Sequence, residues 1–182
     1  MFAKLSLSGL MLAAAMVTAA SAQDFKLTST SIAEGAQLAP AHVFAGFGCE
    51  GGNTSPQLSW TGAPAGTKSF AITVYDPDAP TGSGWWHWTA VNIPASVTSL
   101  EAGASGAGKM PAGATELAND YGAAGFGGAC PPPGEVHRYI FTVHALPVER
   151  LDLPENASNA LAGFMIRANA IASAKITAVY NR

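Results

Sequence analysis

Charge is scarce in this sequence. Lys and Arg number 9 and Asp and Glu 12 among 182 residues, for a formal net charge of −3. The cations are scattered and form no basic stripe, which excludes the electrostatic footprint of a DNA- or RNA-binding surface. Long hydrophobic runs are also missing. The one small-and-apolar run, Leu10 to Ala20, is about half of the roughly 20 residues needed to cross a bilayer. H-E-x-x-H, G-x-S-x-G and C-x-x-C do not occur, which removes the commonest zinc, serine-hydrolase and thiol-redox signatures. Cysteine is limited to Cys49 and Cys130.

What is present begins with Lys4 ahead of that run, then Ala20, Ser21 and Ala22, followed by polar Gln23 and Asp24. This is the pattern of a secretory signal with an A-x-A site, so residues 1–22 are expected to be removed and 23–182 to form one exported domain, periplasmic or secreted. No cysteine stands at the start of the expected mature chain to carry a lipid. In an oxidising compartment, Cys49 and Cys130 are expected to pair as one disulfide.

The mature chain reads as mostly β. SFAITVY (69–75), WHWTAVNI (86–93) and HRYIFTVHAL (137–146) combine period-two alternation with β-branched and aromatic residues, and Pro- or Gly-rich segments bound them. Weaker strand candidates are FKLTST, QLSW and KITAVY. One segment has helical spacing. Leu161, Phe164, Met165, Ala168, Ile171 and Ala172 recur three and four apart after a polar start where Asn156 or Ser158 can cap. It predicts an amphipathic helix over roughly 157–173 whose Met and Phe stripe docks on the core. Residues 101–117, rich in Gly and Ala without a period, read as a long surface loop. A sandwich of antiparallel sheets with Greek-key connections and a few peripheral helices fits this order.

Two glycine motifs mislead. GFGCEG (46–51) satisfies G-x-G-x-x-G but feeds a turn and a short strand, not a helix. Residues 103–109 match G-x-x-x-x-G-K but run into Met110 and Pro111, which deny the magnesium-binding hydroxyl and the following helix.

The residues suited to a site collect at three strand ends: Asp76-Pro77-Asp78-Ala79-Pro80, Gly84-Trp85-Trp86-His87-Trp88, and Gly127-Gly128-Ala129-Cys130-Pro131-Pro132-Pro133-Gly134 leading into His137-Arg138-Tyr139. Two aspartates, two histidines, several aromatics and a stiff loop can build a small pocket, and they can equally be turn formers and core aromatics. YDPDAPTGSGWWHWTAVNIP followed by GGACPPPGEVHRYIFTVHAL resembles the signature blocks of the phosphatidylethanolamine-binding protein family, in particular its bacterial Raf-kinase-inhibitor-like branch. The likeness covers nearly all of the mature chain. It implies a β-sandwich with an anion pocket lined by Asp76, His87, Pro132, His137 and Tyr139, with Asp78 and Trp85 beside them.

Within such a pocket, Asp76 is expected to accept a hydrogen bond from His87 or His137, favouring its charged form and leaving the other ring N–H for a phosphate oxygen. Backbone N–H groups of Gly127 and Gly128 are expected to add an anion nest. Arg138 is read as a possible brace of the sheet, and His42 and His144 as ordinary loop and strand residues. The expected function is that of an exported, non-enzymatic binding protein for a phosphate-like small anion or phospholipid headgroup, open to modulating a protein partner. No catalytic residue, metal ligand or cofactor is assigned. Two alternatives stay open. One is a phosphoester-processing or metal-dependent enzyme using Asp76, Asp78, His87 and His137. The other is an interaction protein, with a homodimer among its forms, whose pocket is vestigial.

Overall fold

The computed structural model describes residues 24–182; the expected signal segment, 1–22, lies outside them. In chain order the strands are β1 (Lys26–Thr28), β2 (Ala45–Gly46), β3 (Cys49–Glu50), β4 (Leu58–Thr61), β5 (Ser69–Asp76), β6 (Trp85–Pro94), β7 (Ser99–Leu100), β8 (Thr115–Glu116), β9 (Val136–Leu146) and β10 (Ala172–Asn181). Of the few peripheral helices expected, the described residues form one α-helix, α1 (Asn159–Asn169), just before β10, and a single 3-10 turn at Pro40–His42. The main sheet is antiparallel with order β10-β9-β5-β6-β8, and a smaller sheet has order β1-β4-β7. Strands β9-β5-β6-β8 stand in the spatial order of a Greek key, with β9 returning over a long connection to lie beside β5.

Strand β5 sits at the centre, and its alternation explains the layers. Phe70, Ile72 and Val74 pack with Leu27, Leu58, Trp60 and Leu100 of the smaller sheet, closing the sandwich core. Ala71, on the opposite face, packs with Val91, Leu146, Leu151 and Ile166 beneath α1. Burying both faces of one strand requires apolar residues at successive positions, as β5 has.

The pairing of β5 with β6 slips by one residue, from Val74↔Trp88 to Tyr75↔Trp86. His87 is the extra residue. Regular alternation would send Trp86 and Trp88 to one face. The bulge separates them, so that Trp88 joins the sandwich core while Trp86 lies against Gly163 of α1. Bulges of this kind re-aim side chains beside functional sites.

The helix is shorter than its periodicity predicts. The Ser158 side chain accepts from the Leu161 N–H at its start, and Ala170 N–H to Ile166 O is its last bond. Ile171 N–H then donates to Ala145 O, and pairing with β9 takes over. Tertiary pairing overrides local propensity here. The buried face also differs from the one expected. It consists of Asn159, Ala162, Gly163 and Ile166, while Leu161 and Phe164 are 39% and 67% exposed. The reason is close approach: a Cβ on Gly163 would lie 2.7 Å from the Trp86 ring, so the small-residue face is the one that fits. Gly163→Val should therefore destabilise the fold by about 1–3 kcal/mol, the cost of overpacking, read as a lower urea midpoint at unchanged slope. An unchanged midpoint would show that α1 lifts off Trp86 freely. Residues 101–117 form a loop as expected, except that Thr115 and Glu116 add β8 to the sheet edge.

Candidate functional site

Asp76 ends β5 and is 2% exposed. Its Oδ1 accepts the N–H groups of Asp78 and Ala79 at 2.8 and 3.1 Å, which shapes the proline-bounded turn. Its Oδ2 lies 2.7 Å from Nδ1 of His137, near the start of β9. One carboxylate therefore serves both turn and site. The other ring nitrogen of His137, Nε2, lies 3.0 Å from Oε2 of Glu135, whose side chain is half exposed. Burial of His137 favours its neutral form, but hydrogen bonds to Glu135 and Asp76 outweigh it and hold the pKa above the ordinary value. Both ring N–H groups are thus spent on carboxylates, and the expected free N–H is not left over.

His87 has a different environment. Its Nδ1 lies 2.7 Å from the Gly127 carbonyl. A carbonyl only accepts, so Nδ1 carries the proton. Burial lowers the pKa of His87, outweighing the bonds and carboxylates that would raise it. Its Nε2 is buried without a hydrogen-bond partner, as are Nε1 of Trp85 and the hydroxyl of Tyr139.

The residues that carry these groups line a cavity of about 230 Å³ together with Asp76, Tyr121 and His137, and Phe47, Pro132, Cys130 and Arg182 complete its wall. Tyr121 stacks on Phe44 at 3.8 Å and meets Trp85 edge-on at 5.1 Å. A Cβ on Gly127 would strike the Tyr121 ring at 2.5 Å, so glycine there permits the ring's position. Cys130 is bonded to Cys49 of the β2–β3 hairpin. Arg182 donates to the carbonyls of Pro131 and Gly48 at 2.7 and 2.6 Å, tying the same hairpin to the proline loop. Burial raises the pKa values of Tyr121 and Tyr139, so both hydroxyls keep their protons.

With this geometry in view, comparison with known proteins is decisive. The profile of the phosphatidylethanolamine-binding protein family matches residues 28–181. The chain belongs to that family. It is 60% identical over 164 residues to the UPF0098 protein YbcL of Escherichia coli, covering 88% of this chain and 90% of that one. The crystal structure of E. coli YbcL, described as a new member of the mammalian family, superposes with a TM-score of 0.84 at 59% identity, covering 87% of this chain and 98% of that one. A putative lipoprotein, LppC, of Mycobacterium tuberculosis is 34% identical over 168 residues, covering 91% of this chain and 77% of that one.

Of the residues expected in this family member's pocket, Asp76, Trp85, His87, Pro132, His137 and Tyr139 line one cavity, and Asp78 and Gly128 do not line it. Asp78 forms a two-pronged ion pair with Arg138 at 2.6 and 2.8 Å. Hydrogen bonding to Arg138 lowers its pKa to about 2. The pair braces the turn against β9, as the alternative reading of Arg138 has it. The expected nest is not open either, because Gly127 N–H donates to His87 O at 2.8 Å and Gly128 N–H to Asn53 Oδ1 at 2.7 Å. Both glycines stitch the loop to its neighbours, and glycine at 128 is needed because a Cβ would fall 2.5 Å from backbone of residues 43 and 44. His144 is buried in β9, bonded to Thr73 and Ser173, and His42 bonds the Thr54 carbonyl. Among the described residues no cluster of three or more His, Cys, Asp or Glu side chains is arranged to hold a metal ion.

Sequence reasoning missed Phe47, Tyr121, Arg182 and Glu135. Phe47 had a usable signal. It lies two residues before Cys49, and pairing Cys49 with Cys130 carries its hairpin to the proline loop. Nothing local in the sequence marks Tyr121 or Arg182.

Proposed function

We propose that this chain is an exported, non-enzymatic binding protein whose cavity takes a small phosphate-bearing group, from a soluble molecule or a lipid headgroup. The observation that carries the reading is the trio of unpartnered buried polar atoms, Trp85 Nε1, His87 Nε2 and Tyr139 Oη, on residues that share one cavity. Buried polar groups are nearly always paired, and each orphan costs about 1–3 kcal/mol. Three orphans on one small, aromatic-walled cavity are what a bound polar group would satisfy. The guanidinium of Arg182 supplies positive charge at the wall. Binding without catalysis is favoured because the cavity presents no activated nucleophile: Cys130 is in a disulfide and Thr81 Oγ1 donates to Gly84 O at 2.5 Å.

Export is supported by the signal-like first 22 residues, by a disulfide of the kind typical of oxidising compartments, and by the relative named as a lipoprotein. Calorimetric titration of the mature chain with methyl phosphate should give saturable one-site binding that Tyr139→Phe weakens by about tenfold or more, the loss of one hydrogen bond to a charged group. Absence of heat and of any shift in Tm at millimolar ligand would refute the phosphate reading. N-terminal sequencing of protein from the oxidising compartment should begin at Gln23, and a chain retaining Met1 there would refute processing.

A further inference from the structure

The apolar stripe that the sequence places on α1 is turned outward by the fold. Leu161 and Phe164 are 39% and 67% exposed, and Ile171, just past the helix, is 44% exposed. Among the described residues the other large apolar side chains that stand exposed are Phe47 and Val136, which lie elsewhere in the chain. Leu161, Phe164 and Ala168 are three and four residues apart, the spacing of a seam that packs against a second helix. The opposite face of α1 is the one spent on the sheet, through Gly163 and Ile166.

A groove runs beside the stripe. Two cavities of about 570 and 320 Å³ meet between α1 and the outer face of the main sheet, with Tyr75, Trp86, Gly163 and Arg167 in the walls of both. Phe164 lines the first and Lys175 of β10 the second. Neither shares a residue with the cavity at His87. Trp86 reaches the groove because the bulge at His87 sends it to this face, where its ring centroid lies 4.7 Å from that of Tyr75.

Charge around the groove has one sign. The whole chain is net negative, at −3, yet after Glu155 the sequence contains Arg167, Lys175 and Arg182 and no further Asp or Glu. No carboxylate lines either cavity. Arg138 and Arg150 are paired with Asp78 and Asp152, whereas among the described residues Arg167 and Lys175 form no ion pair. An unpaired surface cation is ordinary by itself. Two of them on an acid-free groove with an aromatic floor, next to an exposed apolar stripe, make a surface with a definite complement.

We infer that this face of α1 docks an amphipathic helical segment of a protein partner, apolar on one side and acidic along its flank. The apolar side packs on Leu161 and Phe164 and fills the groove over Trp86, and the acidic flank meets Arg167 and Lys175, a helix-in-groove mode of recognition. The same face of a second copy sets cations against cations. A lipid surface is too flat to fill a groove, and an anionic one is repelled by the net negative chain.

The test is a titration of the mature chain with a fluorescent synthetic peptide carrying leucine three and four residues apart along one side and glutamate along its flanks, followed by anisotropy. The peptide should bind saturably and more weakly as salt is raised. Its counterpart with lysine in place of each glutamate should not bind. Phe164→Ser removes an exposed anchor and should weaken binding by about tenfold or more, with an unchanged urea midpoint. Arg167→Glu combined with Lys175→Glu should weaken it by about tenfold or more, by setting like charges together, and should create binding of the lysine peptide. Equal binding of both peptides, binding unmoved by all of these substitutions, or no binding of the glutamate peptide overturns the inference. Without peptide binding, dimerisation abolished by Phe164→Ser would give the face to a second copy. Co-sedimentation with phosphatidylglycerol vesicles abolished by the same substitution would give it to a membrane. Either result replaces the partner inferred, and none of these outcomes bears on the phosphate reading.

Discussion

Asp76→Ala should destabilise the fold by about 3–5 kcal/mol, the cost of breaking a buried pair by removing one partner. The substitution strips His137 of a carboxylate at 2.7 Å and leaves the N–H groups of Asp78 and Ala79 without their acceptor. Asp76→Asn keeps an acceptor for the turn and should cost less, so the difference between the two variants separates turn from ion pair. Urea unfolding at pH 6 reads both. A loss under ~1 kcal/mol for Asp76→Ala would show that Glu135 alone stabilises the imidazolium.

The same pair carries a pH signature. The pKa of His137 is raised in the folded protein by its two carboxylates against the pull of burial. A raised folded value stabilises fully below the unfolded pKa near ~6.5, and the contribution is lost as pH climbs through the folded value. Wild-type stability should therefore decline above about pH 6.5, whereas Asp76→Asn, with a lower His137 pKa, should lose less across the same interval. Parallel profiles for the two proteins would mean that Asp76 does not set the protonation of His137.

Opening the disulfide is expected to have an effect of similar size. Cys49 and Cys130 are 81 residues apart, and releasing a loop of that length is expected to cost roughly 2–5 kcal/mol through the freedom returned to the unfolded chain. Replacing both cysteines by serine, or reducing the wild type, should lower the urea midpoint correspondingly. An identical midpoint after reduction verified by thiol titration would show that Arg182 and the hairpin contacts hold that wall unaided.

The central strands were legible because burial on one or both faces writes itself as alternation or a continuous apolar run. The end of α1 was not, because Ile171 and Ala172 continue the helical spacing while their backbone pairs with β9. The bulge at His87 leaves no local trace, yet it decides which tryptophan enters the core and which lies under the helix. In the candidate site, Asp76, His87 and His137 could be named from residue type and family resemblance. The partners of their ring nitrogens could not, since Gly127 O is 40 residues from His87 and Asp76 is 61 from His137. The residues that pair with Asp78 and Gly128 are likewise distant, Arg138 by 60 and Asn53 by 75.

The cavity draws its lining from Phe47 through to Arg182, by way of β5, β6, β9 and two long loops. A form that has lost β5, β6, β9 or the chain's last residue no longer contains it. A ligand held there would bind the complete fold alone, and its free energy would add to unfolding as a whole, by about 2.7 kcal/mol at a hundredfold excess over Kd. Occupancy would therefore slow proteolysis and amide exchange wherever opening requires one of these segments to unfold, and not merely around the walls it touches.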